Sequence, residues 1–272
     1  MIELTVGLPM YRSREIAWLA LESLCRQKDI DFKWELLIIE EEEECFGQEK
    51  VKEYVSRLKE NGCTRLEYIS LKQWIPLSLK WKQLANMSSD SSKCFLLQAA
   101  DCYAQPYRLK ETNDIFKKDK NIDWVQSKNG FFYDITNKKS AIFDHNLCRI
   151  SHIPDHSLHP CSLNMAIKTN LIKRLSPQHV RRSVDSFLFK NLTSQKGSSL
   201  KVEWNHSDNW RLGFDTDGLN NISRDRSRLI CGIKPPFVAL PKGEQLEKYI
   251  PSDILSMLYD CYSAARKNKL IP

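Results

Sequence analysis

The sequence predicts an α/β protein, a layered and mostly parallel sheet flanked by helices. Two observations carry this. Apolar or β-branched runs that read as buried strands alternate with amphipathic runs at helical spacing through the first hundred residues. The helical runs are long enough to serve as right-handed crossovers between parallel neighbours.

The elements follow in order. "IELTVGLPM" is a strand ended by Pro9. "SREIAWLALESLCRQ" is a helix with Ile16, Leu19, Ala20 and Leu24 on one side, Ser13 as N-cap and Glu15 in the first turn. "FKWELLIIE" is a second buried strand, and "EKVKEYVSRLKENG" a helix closed by Gly62. "TRLEYISL" is a third strand, "IPLSLKWKQLANMSS" a helix, and "KCFLLQAAD" a fourth strand. Ligands of such sheets sit outside the carboxyl ends of the strands, which puts Pro9, Tyr11, Glu40 and Asp101 on one rim. Beyond about residue 110 the pattern loosens. "NIDWVQSKNGFFYDI" and "KSAIFDHNLCRIS" read as strands, while "SLNMAIKTNLIKRL" and "RRSVDSFLFKNLTSQKG" read as helical. The tail from "PSDILSMLYDCYSAARKNK" reads as an amphipathic helix with a basic end.

Composition excludes several classes. With 42% apolar and 28% charged residues, the 272-residue chain is a folded globular protein rather than a disordered one. The net charge of +7 suits an anionic ligand or polymer without requiring nucleic acid. Nine cysteines, an odd number with no Cys-x-x-Cys pair, read as buried thiols of a reducing compartment. The amino end lacks the apolar core of a signal peptide and no run of ~18 apolar residues occurs, so a soluble, cytoplasmic protein is expected. No Gly-x-Gly-x-x-Gly follows the first strand, which disfavours a dinucleotide-binding oxidoreductase.

Four stretches, in this order, carry a resemblance: "TVGLPMYRSRE", "ELLIIEEEEE", "KCFLLQAADCYAQP" and "SLNMAIKTNLIKRLSPQHVRRSVDSFLF". Together, over about residues 3 to 195, the chain resembles the family-2 nucleotide-sugar glycosyltransferases of GT-A fold, including viral or phage members. The resemblance implies a nucleotide-sugar-binding half over 1–110, an acceptor and catalytic half of the same domain over 111–232, and a helical tail over 233–272. It implies an inverting transfer of a hexosyl or pentosyl group from a nucleoside diphosphate, UDP being the expected nucleotide.

By the same resemblance Asp101 falls on the second acid of the family's Asp-x-Asp, which binds Mn²⁺ or Mg²⁺. Ala99 stands where the first acid belongs, a departure from the pattern. A hard cation accepts a single protein carboxylate when phosphate oxygens and waters complete its shell. The plainer role for Asp101 is capping the turn that follows. Tyr11 and Glu40 would hold the base, the ring by stacking and the carboxylate by accepting a ring N–H. The further glutamates to Glu44 read as a solvated loop. Pro9 belongs to the same donor motif, and Arg12, Lys80 and Lys82 are candidates for the diphosphate, with a surface-helix role as the alternative for the two lysines. Asp185, opening an apolar helix, would be the general base that takes the acceptor hydroxyl's proton; a first-turn acid favoured by the helix dipole is its structural alternative.

His206 would be a further metal ligand, and Trp204 and Trp210 would stack on acceptor rings. Arg224, with Arg226 and Arg228, would contact phosphate. Cys148, His152, His159 and Cys161 match no strong zinc spacing and read rather as a loop over sugar or acceptor. The acceptor is a glycan or, as for some phage glycosyltransferases, a hydroxymethylated base in DNA. A degenerate module of this fold that binds nucleotide or nucleic acid without catalysis is the alternative that Ala99 favours.

Overall fold

The computed structural model describes residues 1–127, 129–134, 139–144, 165–177, 184, 187–188, 191, 202–205, 211–215, 237–239 and 251–267. The chain opens with β1 (Ile2–Met10), α1 (Ala17–Cys25), β2 (Lys33–Glu41), α2 (Gln48–Lys52), α3 (Val55–Glu60) and β3 (Cys63–Leu71). Next come α4 (Leu77–Met87), β4 (Cys94–Leu97), β5 (Cys102–Ala104), α5 (Arg108–Lys118), β6 (Trp124–Ser127), β7 (Asn129–Asp134) and β8 (Lys139–Asp144). The last described elements are β9 (Met165–Lys168), α6 (Thr169–Ile172), β10 (Val202–Asn205), β11 (Arg211–Asp215), β12 (Phe237–Ala239) and α7 (Ser252–Lys267).

Among the described residues the main sheet has seven strands in the order β10-β6-β9-β4-β1-β2-β3. Only β9 opposes its neighbours, so the sheet is mixed and mostly parallel, as a GT-A-like α/β fold requires. A second sheet runs β12-β8-β7-β11-β5. Strand alternation sends side chains to two apolar layers. Leu36 and Ile38 join Leu4, Val6 and Leu8 beneath α1, α5 and α7, with Leu19, Phe116 and Ile254 among their partners. Leu37 and Ile39 join Phe95 and Leu97 on the other face, under Trp81 and Leu84 of α4 and Leu171 of α6. Helices thus cover both faces, and the central strands β1, β2 and β4 are buried on both sides.

Gly7 interrupts β1 for a packing reason. A Cβ there would lie 2.2 Å from Cζ of Phe95, whose ring occupies the space. Pro9 is tolerated because β4 runs beside β1 only as far as Leu97, opposite Gly7. Beyond that point β2 alone among the described strands pairs with β1, and a missing N–H on the other side costs nothing.

Several expectations are corrected. Ser13 is not a side-chain cap: the helix cap is Ile16, and the Ser13 hydroxyl is drawn to a buried carboxylate on β2 instead. The helix expected up to Gly62 is two pieces, because Glu53 and Tyr54 donate to residues three back, Lys50 and Val51, and tighten the chain there. "WVQSKNGFFYD" is two strands in different sheets. "MAIK", expected to be helical, is β9, because the gap between β4 and β6 supplies hydrogen-bonding partners on both sides. The six cysteines described, 25, 45, 63, 94, 102 and 261, are free thiols.

An ion-pair network joins the tail to this frame. Glu22 of α1 accepts both Arg57 guanidinium nitrogens at 2.7 Å and Arg26 at 2.7 Å, and Arg26 reaches Asp253 of α7 at 2.6 Å. The arginines, Arg57 first, hold the Glu22 carboxyl below its ordinary range. A depressed carboxyl stabilises the fold above its unfolded pKa, and that contribution fades as pH falls through the folded value. Glu22→Gln is therefore expected to cost about 2 kcal/mol at neutral pH and to flatten the loss of stability toward acid, measured by urea unfolding from pH 7 to 3. Gly7→Ala is expected to lower the urea-derived stability by about 1–3 kcal/mol through overpacking.

Candidate functional site

Chain order reverses direction across the sheet between β4 and β1, with β2 and β3 on one side and β4 on the other. At such a switch point the carboxyl ends of the two strands diverge and leave a crevice. Tyr11 and Arg12 follow β1 on one lip, and Asp101 follows β4 on the other.

The β1 lip is held from beneath by two glutamates that end β2. Glu40 is fully buried. Its Oε1 accepts from Ser13 Oγ at 3.1 Å and the Phe46 amide at 2.8 Å, and its Oε2 from the Gly47 amide at 3.1 Å and Tyr68 Oη at 2.7 Å. Burial, and next this bond to Glu40, push the Tyr68 hydroxyl up, so it remains a donor. The carboxylate expected to meet a base is thus committed to fastening the Glu-rich loop and the start of the chain after β1.

Glu41 is buried as well and pairs with the buried ammonium of Lys80 from α4. Lys80 Nζ also donates to the Met10 carbonyl at 2.7 Å and lies 5.5 Å from the Tyr11 ring centroid. Burial pulls Lys80 below the ordinary lysine range, against the upward pull of Glu41. Lys80 therefore supports the Tyr11 segment from inside rather than standing open to solvent. Lys82 turns elsewhere, donating to the Lys173 carbonyl. Tyr11 is 38% exposed, with the Arg12 guanidinium 5.3 Å from its ring centroid. Arg12 has a left-handed backbone (φ 47°) and pairs with Glu43 of the Glu-rich loop. Strain of this kind persists only where its surroundings fix it.

The β4 lip is an irregular turn. β4 stops at Leu97, earlier than the sequence suggested, and Asp101 sits four residues on, directly before β5. Gln98 donates to the carbonyls of Ala99 (3.0 Å) and Cys102 (2.7 Å), while buried Arg108 donates to Gln98 Oε1 (2.7 Å) and the Leu97 carbonyl (2.8 Å). Asp101 is half-buried and accepts from the Cys102 thiol at 3.4 Å. It offers one carboxylate, with Ala99 beside it in place of a second.

Among the described residues no group of three or more His, Cys, Asp or Glu is arranged to hold a metal ion. Asp185, His206, Trp210, Arg224, Arg226 and Arg228, and the set Cys148, His152, His159 and Cys161, lie outside the described residues. The Trp204 backbone lies in β10, opposite Gln126 of β6. Around position 185, Leu188 is buried and Val184 and Phe187 pack on the second apolar layer. Glu41, Gln98 and Arg108 were not singled out by sequence: the Lys80 partner of Glu41 lies 39 residues away, and Gln98 and Arg108 meet through the shape of the turn between β4 and α5. A cavity of about 330 Å³ lined by Lys93, Lys117, Lys120, Lys168 and Asp90 lies away from this rim, at the opposite end of the strands, where β4 begins and β9 ends. Among the described residues no helix is long and apolar enough to cross a membrane.

The architecture is shared with solved structures of S. aureus TarS. The fragment 1–349 of TarS matches 78% of this chain at 13% identity, with a TM-score of 0.57, and 60% of its own length is covered. Its complex with UDP-GlcNAc gives 0.60 with 58% covered, and its complex with UDP 0.55 with 60% covered, both at 13% identity. The chain thus spans about 60% of the length of the TarS fragment it matches. No protein-family model and no curated protein matches the chain.

Removing the acceptor at the β1 lip is expected to be costly. Glu40→Gln turns one acceptor into a donor facing buried amides and should lose about 3 kcal/mol, while Tyr68→Phe, which removes one bond, should lose about 1 kcal/mol. Urea midpoints of the two variants check the order.

Proposed function

We propose that the chain is a nucleotide-sugar glycosyltransferase, taking a hexosyl or pentosyl group from a UDP-linked donor and passing it with inversion to an acceptor hydroxyl. The observation that supports this most is the β1/β4 switch point at the carboxyl ends of the strands. It has an exposed Tyr11 on one lip and Asp101 on the other, in a fold shared with a protein solved with UDP and UDP-GlcNAc.

In this reading Tyr11 stacks on the base, Arg12 faces the diphosphate, and Pro9 lets β1 part from β4. A divalent Mn²⁺ or Mg²⁺ would be held by Asp101 together with donor phosphate oxygens and waters, a set such hard cations accept. Its chemistry would be to neutralise charge on the leaving diphosphate. Asp185 takes the proton of the acceptor hydroxyl as the new C–O bond forms at the anomeric carbon and the bond to the diphosphate oxygen breaks. His206 would add a metal ligand, and Trp204, Trp210 and Arg224 would hold the acceptor. That acceptor is a glycan or a hydroxymethylated base in DNA. The net charge of +7 supports the DNA reading, under which affinity for DNA falls steeply with salt. A second reading, nucleotide or nucleic-acid binding without catalysis, is favoured by Ala99 alone.

UDP with Mn²⁺ is expected to raise the thermal midpoint of the parent, because it binds only the native state. Asp101→Ala should abolish the metal-dependent part of that rise. Asp185→Asn should bind UDP as the parent does and lose transfer or donor hydrolysis by about 10²–10⁴-fold. A parent indifferent to every nucleoside diphosphate would overturn the proposal.

A further inference from the structure

Tyr11 has a counterpart. Among the described residues the exposed aromatic side chains are Tyr11, Trp74 and Tyr107. Tyr107 lies beneath the Lys28 ammonium at the start of α5. Tyr11 and Trp74 share a different setting. Tyr11 is the first residue past β1 and Trp74 the third past β3, so they flank the end of β2 from both sides. Trp74 is 43% exposed, although an indole is among the side chains that gain most from being covered.

The two segments are fastened to one buried pair. Glu41 Oε1 accepts from the Ile75 amide at 3.4 Å, which pins the Trp74–Ile75 peptide over the end of β2. Glu41 Oε2 receives Lys80, and Lys80 holds the Met10 carbonyl and underlies the Tyr11 ring. Neighbouring strands lie about 4.8 Å apart, so β1 and β3 stand about 10 Å apart across β2. Side chains that leave backbones at this separation can bring their rings to opposite faces of one planar base, with stacking contacts of about 4.5–7 Å between centroids.

We propose that Trp74 is a donor-binding residue, the second face of an aromatic slot that receives the nucleobase of the donor opposite Tyr11. This rests on the nucleotide-sugar reading above. The slot selects for a planar ring and leaves the sugar unread. The buried Glu41–Lys80 pair sets its width.

The test is calorimetric titration of the parent, Trp74→Ala and Trp74→Phe with UDP, uridine and inorganic pyrophosphate. The unliganded thermal midpoint serves as the folding control, and the exposure of Trp74 means both variants should fold. Stacking on one aromatic face predicts that Trp74→Ala weakens UDP and uridine about tenfold and leaves pyrophosphate unchanged, while Trp74→Phe stays near the parent. A parent that binds UDP together with a Trp74→Ala variant that binds it equally well overturns this inference and leaves the donor reading standing. Equal weakening of UDP and pyrophosphate also overturns it, since the effect would not reside in the base. A parent that binds no nucleoside diphosphate overturns both.

Discussion

A carboxylate buried without water must find a donor for each of its lone pairs or give up its charge. Glu40 meets that demand with four donors, and they come from three separate segments: Ser13, the amides of Phe46 and Gly47, and Tyr68. Satisfying one side chain therefore fixes the chain leaving β1, the loop leaving β2 and the face of β3. Glu41, one residue on, points to the other side of the sheet and does the same for α4 through Lys80. The β1 lip of the crevice is assembled by these two neighbours, and the apolar length of β2 from Leu36 to Ile39 keeps them at a fixed height in the sheet.

Much of this was legible in the sequence. The strands β1 to β4 and the helices between them follow from runs whose period and apolarity have one reading. The rim position of Tyr11, Glu40 and Asp101 follows from the rule for parallel sheets. What escaped depends on partners that local sequence does not name. "MAIK" has no local mark of a strand; it is one because β4 and β6 leave a row of unpaired backbone groups between them. The β-rich run from Trp124 to Asp134 does not record that its halves join different sheets. The acid Glu40 was visible, but its partner Tyr68 lies 28 residues away, and its neighbour Glu41 was taken for part of a solvated run.

The two lips are built on different principles. On the β1 side, buried charge is matched by opposite charge and by backbone amides. On the β4 side, the buried Arg108 guanidinium donates to oxygens of the turn itself, Gln98 Oε1 and the Leu97 carbonyl.

The turn that carries Asp101 is also the joint where the chain leaves one sheet and enters the other, with β5 pairing to β11 directly afterwards. Under the proposed function, a ligand clasped there would act as a strut between two separately hydrogen-bonded slabs. Occupancy would then be felt as mechanical coupling: the slabs would open independently when the joint is bare and together when it is loaded.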